Sequence, residues 1–289
     1  MKKIGFIGVG IMGKSMVRNL MQAGYELHIY ARNKAKVEDV ISEGAIFHNT
    51  IGDCVRECEA VITIVGFPKD VEEVYFTEGN IFDSAKAGTY LIDMTTSSPE
   101  MAKHIYEEGI KCGFKVLDAP VTGGDTGAKA GTLSILVGGD SKNYEACVPL
   151  FEAMGKNINY QGAAGSGQHC KMANQIMIAG ALSGVCEALA YAEAKGLDLE
   201  TVLQSVSTGA AGSTQLNAFA PKILKEDYAP GFFMKHFIKD MKLALEEADR
   251  SGLNLNILHQ VLENYGELEA AGFGEKGTHA LINYYRKDS

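Results

Sequence analysis

The sequence lacks any uninterrupted run of the ~18 apolar residues that a membrane-spanning helix needs, so we predict no membrane segment. It also lacks blocks of like charge, and its formal net charge of −9 argues against nucleic acid or an anionic membrane surface as the main partner. These absences exclude membrane proteins and nucleic-acid-binding proteins from the expected classes.

The cysteines lack the paired spacing of a disulfide framework. Six of them are spread along the chain, an arrangement typical of reduced thiols and hence of a cytoplasmic protein. Cys54 and Cys58 are spaced as neighbours on a helix, but no nearby His or Cys residues complete a metal-ligand set. We therefore predict neither disulfide bonds nor a metal site.

Short β-type runs alternate with helical patterns from residue 3 to residue 161, and only helical patterns follow. The first run, residues 3–7, is too short and too rich in glycine for a secretion signal and is predicted to be a strand. The length of 289 residues is sufficient for two domains. We predict an α/β domain over residues 1–163 and an all-α domain over residues 164–289, joined by a long helix.

Three glycines stand between the first predicted strand and the helix predicted after it. The segment Gly8-Val9-Gly10-Ile11-Met12-Gly13 has the G-x-G-x-x-G spacing of a dinucleotide-binding turn. The first glycine permits the tight turn, the second lets the backbone approach a pyrophosphate, and the third lets helix and strand pack closely. We therefore predict a Rossmann-type domain in which Gly8, Gly10, Ile11, Met12 and Gly13 bind the cofactor. The alternative is a purely structural turn.

The second predicted strand, residues 26–30, ends in Ala31-Arg32-Asn33. A site that prefers NAD usually carries an Asp or Glu here for the ribose hydroxyls, whereas this chain carries the Arg32 guanidinium, which suits a 2′-phosphate. We predict that Ala31, Arg32 and Asn33 contact the cofactor and that NADP(H) is preferred, with NAD(H) possible. The alternative is that Arg32 is an ordinary solvated loop charge.

Three further loops follow predicted strands, at the sheet edge where open α/β sheets bind ligands. We predict that Gly66, Phe67 and Pro68 contact the cofactor. Thr95 either does the same or caps the following helix. Thr122, Gly123 and Gly124 offer a hydroxyl and accessible backbone N–H groups to a carboxylate, or form a hairpin-like connection without a ligand. Residues 127–131 are predicted to continue this loop.

The long predicted helix, residues 164–195, carries apolar or small residues on every side and is expected to be buried nearly all round. Lys171, Asn174 and Gln175 interrupt this pattern and share one helix face. A lysine can exchange a proton with a substrate hydroxyl, and an amide can orient that substrate. The alternative for Lys171 is a surface lysine that snorkels to water. His169 is spaced to point away from Lys171.

Four segments together resemble the β-hydroxyacid dehydrogenase family, which includes 3-hydroxyisobutyrate dehydrogenases and tartronate semialdehyde (2-hydroxy-3-oxopropionate) reductases. They are GFIGVGIMG, DAPVTGG with GAKAGTLSILVGG, GSGQHCKMANQ and FIKDMKLAL, in the family order and over essentially the whole chain. The resemblance implies that Lys171 is catalytic, that Asn174 and Gln175 orient the substrate, and that Lys239 approaches the cofactor or substrate. It also implies that Thr122, Gly123 and Gly124 hold the substrate carboxylate, with Thr122 and Gln175 standing where the family often has Ser and Asn.

The residues and the resemblance together predict a NADP-preferring oxidoreductase that interconverts a small hydroxyacid and its semialdehyde, with Lys171 as general acid and base. Phe232, Phe233 and Lys239 are candidates for setting substrate length. An exposed apolar face on the helical domain is expected to form a homodimer or homotetramer. The alternative is a non-catalytic dinucleotide-binding scaffold or sensor of the same fold.

Overall fold

A computed structural model describes residues 1–286. The chain forms two compact units, Met1–Lys171 and Met172–Ser289. One helix, α9 (Ser166–Ala194), runs through the division. The predicted boundary after residue 163 lies slightly earlier, at the end of the last strand.

The N-terminal unit is an α/β structure. Its helices are α1 (Ile11–Gln22), α2 (Glu38–Ser42) after a 3₁₀ turn (Lys34–Val37), α3 (Ile51–Val55), α4 (Pro68–Phe76), α5 (Ile81–Ser84), α6 (Pro99–Lys111), α7 (Gly124–Ala130) and α8 (Ser141–Glu152). Its strands are β1 (Lys3–Ile7), β2 (Glu26–Tyr30), β3 (Ile46–Phe47), β4 (Ala60–Thr63), β5 (Tyr90–Asp93), β6 (Lys115–Asp118), β7 (Val121–Thr122), β8 (Leu133–Gly139) and β9 (Gly155–Gly162).

The strands form one sheet in the order β3-β2-β1-β4-β5-β6-β8-β7, with β9 paired to β8. The strands from β3 to β6 are parallel, whereas β8 runs antiparallel to β6 and to β7. A row of directly paired residues marks the carboxyl ends of five parallel strands: Tyr30, Ile7, Thr63, Asp93 and Asp118. The loops at residues 8–13, 31–33 and 66–68 and at Thr95 follow strands of this row, so parallel pairing brings them to one edge, whereas the loop at residues 122–124 lies at the end of β7.

Apolar clusters cover both faces of the sheet, because side chains alternate along each strand. Phe6 and Ile62 pack into one cluster with α1 and α8. Ile7 and Val61 pack into the other, around the fully buried Tyr75 of α4. All six cysteines are free thiols.

The segment from residue 127 to residue 131 was predicted to be loop, and this prediction is wrong: Gly124–Ala130 is the helix α7. Its sequence, GDTGAKA, has little intrinsic helix preference. Tertiary contacts stabilise it, since the Asn19 side-chain amide on α1 donates to the Ala128 carbonyl at 2.7 Å. Gly131, with a φ of 65°, ends the helix in a left-handed conformation.

The C-terminal unit is helical. It contains the rest of α9, followed by α10 (Leu199–Val206), α11 (Thr214–Ile223), α12 (Met234–Arg250), α13 (Asn256–Leu268), a π-helical segment (Glu269–Phe273), a 3₁₀ turn (Thr278–Leu281) and α14 (Ile282–Tyr285). Its core surrounds Phe237 and Tyr265, whose rings meet edge to face at 5.4 Å. Helical patterning over residues 276–285 predicts one helix, but the structure has a 3₁₀ turn followed by one short α-helix in this range.

The expectation that the long helix is buried nearly all round is wrong, because one stripe of α9 is exposed. Met177 is 68% exposed and Tyr191 is 64% exposed. By length and composition, α9 is the one described helix that could cross a membrane. This is weak evidence, since the core helices of soluble proteins meet the same criterion.

Candidate functional site

The glycine loop after β1 has the geometry that its spacing predicts. A Cβ on Gly8, whose φ is 98°, would lie 2.1 Å from the Ile64 carbonyl oxygen. A Cβ on Gly13 would lie 2.2 Å from the Gly8 carbonyl oxygen. A Cβ on Gly10, in contrast, would meet no atom within 4 Å. Gly8 and Gly13 thus allow close packing of strand and helix, while Gly10 leaves open space at the start of α1, which fits a dinucleotide pyrophosphate.

Arg32 follows β2 and is engaged by two acids on α4. Its Nη2 donates to the Asp70 carboxylate at 2.5 Å and to Glu73 at 3.4 Å. The hydrogen bond to Asp70 is the main reason that the pKa of Arg32 lies above its ordinary value. Asn33 beside it is exposed, and Ala31 is half-buried. Sequence reasoning missed both acids, although Asp70 stands where an acid closes a capping box at the start of α4.

Thr95, in the loop after β5, is buried, and its hydroxyl and carbonyl groups both form hydrogen bonds. Its hydroxyl accepts the backbone N–H of Val65 at 3.0 Å, and its carbonyl accepts the Gln168 side-chain amide at 2.7 Å. It does not cap the next helix, because Ser98 accepts the Met101 N–H at the start of α6. Thr95 therefore connects the loops after β4 and β5 to the beginning of α9. In the loop after β4, Phe67 is 38% exposed.

Thr122, Gly123 and Gly124 lie at the end of β7 and the beginning of α7. Thr122 pairs with Ser134 of β8 and is half-buried, whereas both glycines are exposed. Their φ angles, 130° for Gly123 and 65° for Gly124, require glycine. The loop thus presents a hydroxyl and backbone groups to solvent, as carboxylate binding needs.

The first turn of α9 is fixed to the sheet edge by two buried polar side chains that sequence reasoning missed. The Asp118 carboxylate accepts the backbone N–H groups of Gly165, at 2.8 Å, and of Gln168, at 2.9 Å. Burial raises the pKa of Asp118, and these N–H donors oppose the rise. The Gln168 side chain also accepts the Ser97 N–H at 3.1 Å. The signal available in the sequence was the polar Asp118 at the end of an apolar strand.

Lys171 lies three residues after Gln168 on α9, so the two side chains share a helix face. Only 7% of Lys171 is exposed, which does not fit a lysine that snorkels to water. His169 is exposed, as expected for a side chain that points away from Lys171.

The predicted site residues of the C-terminal unit form a polar chain within its apolar core. The Asn174 amide donates to the Gln175 carbonyl oxygen at 2.7 Å, and the Gln175 amide donates to Asp240 at 2.6 Å. The Lys239 ammonium lies 3.0 Å from the other Asp240 oxygen. Gln175 and Asp240 are each 1% exposed. Asp240 was missed, although it is an acid on the apolar face of an amphipathic helix.

Two family models match the chain. One describes the NAD binding domain of 6-phosphogluconate dehydrogenase and covers residues 3–162. The other describes the NAD-binding region of NADP-dependent 3-hydroxyisobutyrate dehydrogenase and covers residues 165–285. The chain belongs to the β-hydroxyacid dehydrogenase family.

Relatives in this family include an uncharacterised oxidoreductase of Bacillus subtilis, YkwC, which is 50% identical over 99% of each chain. The 2-hydroxy-3-oxopropionate reductase of Escherichia coli is 37% identical over 97% of this chain and 96% of its own length. A solved structure of Mycobacterium tuberculosis 3-hydroxyisobutyrate dehydrogenase with L-serine matches with a TM-score of 0.89 and 27% identity, covering 99% of each chain.

These matches confirm the predicted fold class and family resemblance, and they place the chain among NAD(P)-dependent hydroxyacid dehydrogenases. The scaffold or sensor alternative is not favoured. The choice between NADP and NAD and the roles of individual residues stay predictions.

Proposed function

We propose that this protein is a NADP-preferring oxidoreductase that interconverts a small β- or γ-hydroxyacid and its semialdehyde, with Lys171 as general acid and base. The observation that carries the proposal is the attachment of α9 to the carboxyl edge of the sheet through Asp118 and Gln168. This attachment supports the proposal because Lys171 is buried and lies one turn beyond Gln168, and the glycine loop follows a strand of the same sheet.

The cofactor-binding roles follow from the loops of that edge. Gly8, Gly10 and the first amides of α1 would hold the pyrophosphate, and Arg32 would bind the 2′-phosphate. Gly66–Pro68 and the backbone of Thr95 would border the cofactor, and Lys239 is a further candidate for binding it. A bound nicotinamide would accept or donate the hydride.

Transfer of the substrate hydroxyl proton is the step that side chains of the protein itself would carry out. Lys171 would remove this proton when the alcohol is oxidised and return it when the semialdehyde is reduced. Asn174, one turn further along α9, would orient the substrate oxygen without competing for the proton. Its side-chain amide uses one N–H on Gln175, so the second N–H or the carbonyl oxygen of Asn174 would contact the substrate oxygen.

A small carboxylate substrate suits the exposed loop after β7. Thr122, Gly123 and Gly124 would bind the carboxylate through a hydroxyl and backbone N–H groups, as anion-binding turns do. The relatives support this substrate class, since their names specify 3-hydroxyisobutyrate and 2-hydroxy-3-oxopropionate. Phe232, Phe233 and Lys239 are the candidates for setting the size of the substrate.

The test is Lys171→Ala, assayed at 340 nm with NADPH and a panel of succinic semialdehyde, glyoxylate, tartronate semialdehyde and methylmalonate semialdehyde. We expect kcat to fall by about 10² to 10⁴, the usual contribution of general acid–base catalysis, while NADPH still binds. Small primary amines added to the assay should restore part of the rate, because they replace the missing proton donor.

The matched control is Lys195→Ala, which removes an exposed lysine just beyond the same helix and should leave kcat unchanged. Turnover of a semialdehyde by Lys171→Ala at the wild-type rate would refute the assignment of Lys171. If the wild-type protein binds NADPH but reduces no member of the panel, the proposed substrate class is wrong.

We also propose that the protein is a homodimer or homotetramer that associates through the exposed side of α9. This side carries apolar and small residues at helical spacing, namely Ala173, Met177, Ala181, Gly184, Ala188 and Tyr191. Ile257 on α13 is 72% exposed and lies near Gly180 of α9, so it extends the same patch. Apolar patches of this kind commonly mark protein–protein contacts.

A further inference from the structure

NAD-preferring sites usually carry an Asp or Glu at the end of β2, and this chain has Arg32 there instead. An acid from another part of the fold, Asp70, lies beside Arg32. Asp70 lies on α4, which follows β4, and its Oδ1 accepts the Arg32 guanidinium at 2.5 Å. The other Asp70 oxygen accepts the Phe67 N–H at 3.0 Å, which fixes the carboxylate in place. The Asp70 side chain is 18% exposed, whereas that of Glu73 is 54% exposed and lies further from Arg32, at 3.4 Å.

The position of this ion pair relates it to the cofactor loop. In the sheet, β1 lies between β2 and β4, and the glycine loop follows β1. Arg32 follows β2 and Asp70 follows β4, so the two residues reach each other from either side of the glycine loop. Their charges therefore lie at the edge of the sheet where the ribose of a bound dinucleotide is expected.

The two charges favour different cofactors. A carboxylate accepts hydrogen bonds from the ribose hydroxyls of NAD(H), and it repels a 2′-phosphate. A guanidinium binds that phosphate. Because Arg32 is paired with two carboxylates, the three side chains together carry a net negative charge rather than the single positive charge that the sequence suggests.

We propose that Asp70 is a specificity-determining residue that moderates the preference for NADPH over NADH. This inference rests on the proposed nicotinamide-dependent function and adds to it the residue that opposes Arg32. Asp70 acts both by charge repulsion and by holding the guanidinium that the 2′-phosphate would use.

The test is Asp70→Asn in the full chain, with direct titration of NADPH and NADH followed by the fluorescence of the reduced nicotinamide. Asn keeps an oxygen for the Phe67 N–H and removes the charge. We expect the Kd for NADPH to fall about 3- to 10-fold, since one negative charge near a doubly charged phosphate is removed. The Kd for NADH should stay unchanged or rise.

Two variants serve as comparisons. Glu73→Gln removes a more distant and more exposed charge, so it should change the NADPH affinity by less than about 2-fold. Arg32→Ala should shift the ratio of affinities in the opposite direction, toward NADH.

An unchanged or lowered preference for NADPH in Asp70→Asn would overturn the inference while leaving the proposed function intact. If the folded wild-type protein binds neither NADPH nor NADH, the proposed function fails, and the role of Asp70 fails with it. Direct binding separates these results because no substrate is needed.

Discussion

Asp93, at the end of β5, gives the protein a predicted pH-dependent stability. The residue is 2% exposed, and its Oδ1 accepts the Thr63 hydroxyl at 2.8 Å and the Thr95 N–H at 3.1 Å. Its Oδ2 has no hydrogen-bond partner among residues 1–286. Burial raises the pKa of Asp93 to about 6, although the hydrogen bonds from Thr95 and Thr63 oppose the rise.

A raised pKa means that the folded state favours the neutral carboxyl. Its contribution to the free energy of unfolding is therefore fully present below the unfolded pKa of 3.8 and is lost as the pH rises through about 6. A shift of about two pKa units corresponds to about 3 kcal/mol, at 1.36 kcal/mol per unit. Asp93→Asn cannot ionise, so the variant should avoid this loss, of which about 2 kcal/mol falls between pH 4 and pH 8.

The assay is urea unfolding of both proteins at pH 4, 6 and 8, followed by far-UV circular dichroism because the chain contains no tryptophan. The quantity of interest is the difference in unfolding free energy between the variant and the wild type at each pH, since the other groups cancel. This difference should move by about 2 kcal/mol in favour of Asp93→Asn as the pH rises from 4 to 8. An exposed-acid control, Glu145→Gln on α8, should show a constant difference. A constant difference for Asp93→Asn as well would refute the reasoning.

Two further predictions concern the glycine loop and the surface of α9. Gly10→Ala should change the melting temperature little but raise the Kd for NADPH at least 10-fold, because its Cβ meets no protein atom and lies where the pyrophosphate is expected. Gly8→Ala should unfold at a clearly lower temperature, because its Cβ would overlap the Ile64 carbonyl oxygen. Equal melting temperatures for the two variants would contradict this. Met177→Glu places a charge on the exposed apolar stripe and should lower the molar mass measured by light scattering after gel filtration, while the exposed Lys225→Glu should not. An unchanged mass for Met177→Glu would show that association does not use this stripe.

The main architecture was predictable from local patterns. Alternating strand and helix periods, the glycine spacing after β1 and the long helix are all local features, and each is present in the fold. The helix α7 was not predictable in this way, because the Asn19 amide and the packing against α1 stabilise a sequence with poor helix preference. The exposed stripe of α9 was missed for a related reason: Ala, Gly and Met suit a buried face and an exposed one equally well.

The hydrogen-bond donors of the candidate site were predictable from the sequence, but the carboxylates that accept from them were not. Arg32, Gln175 and the first amides of α9 can be recognised from short motifs, since each lies beside its motif in the sequence. Their acidic partners lie 38, 65 and 47 residues away, at Asp70, Asp240 and Asp118. No local spacing connects residues so far apart; only the parallel order of the strands and the packing of α12 bring them together.

The distant acids determine how the motif residues can act. Asp70 pairs with the Arg32 guanidinium, so Arg32 is not an isolated cation, and this pairing is the basis of the role proposed for Asp70 in cofactor preference. Without Asp118, the first amides of α9 would need another acceptor, and the helix that carries Lys171 would keep only the contacts of Gln168 with the sheet edge. The proposed cofactor preference and the proposed acid–base role of Lys171 therefore both involve carboxylates outside the motifs, so substitutions at Asp70 and Asp118 test the site as directly as substitutions within the motifs.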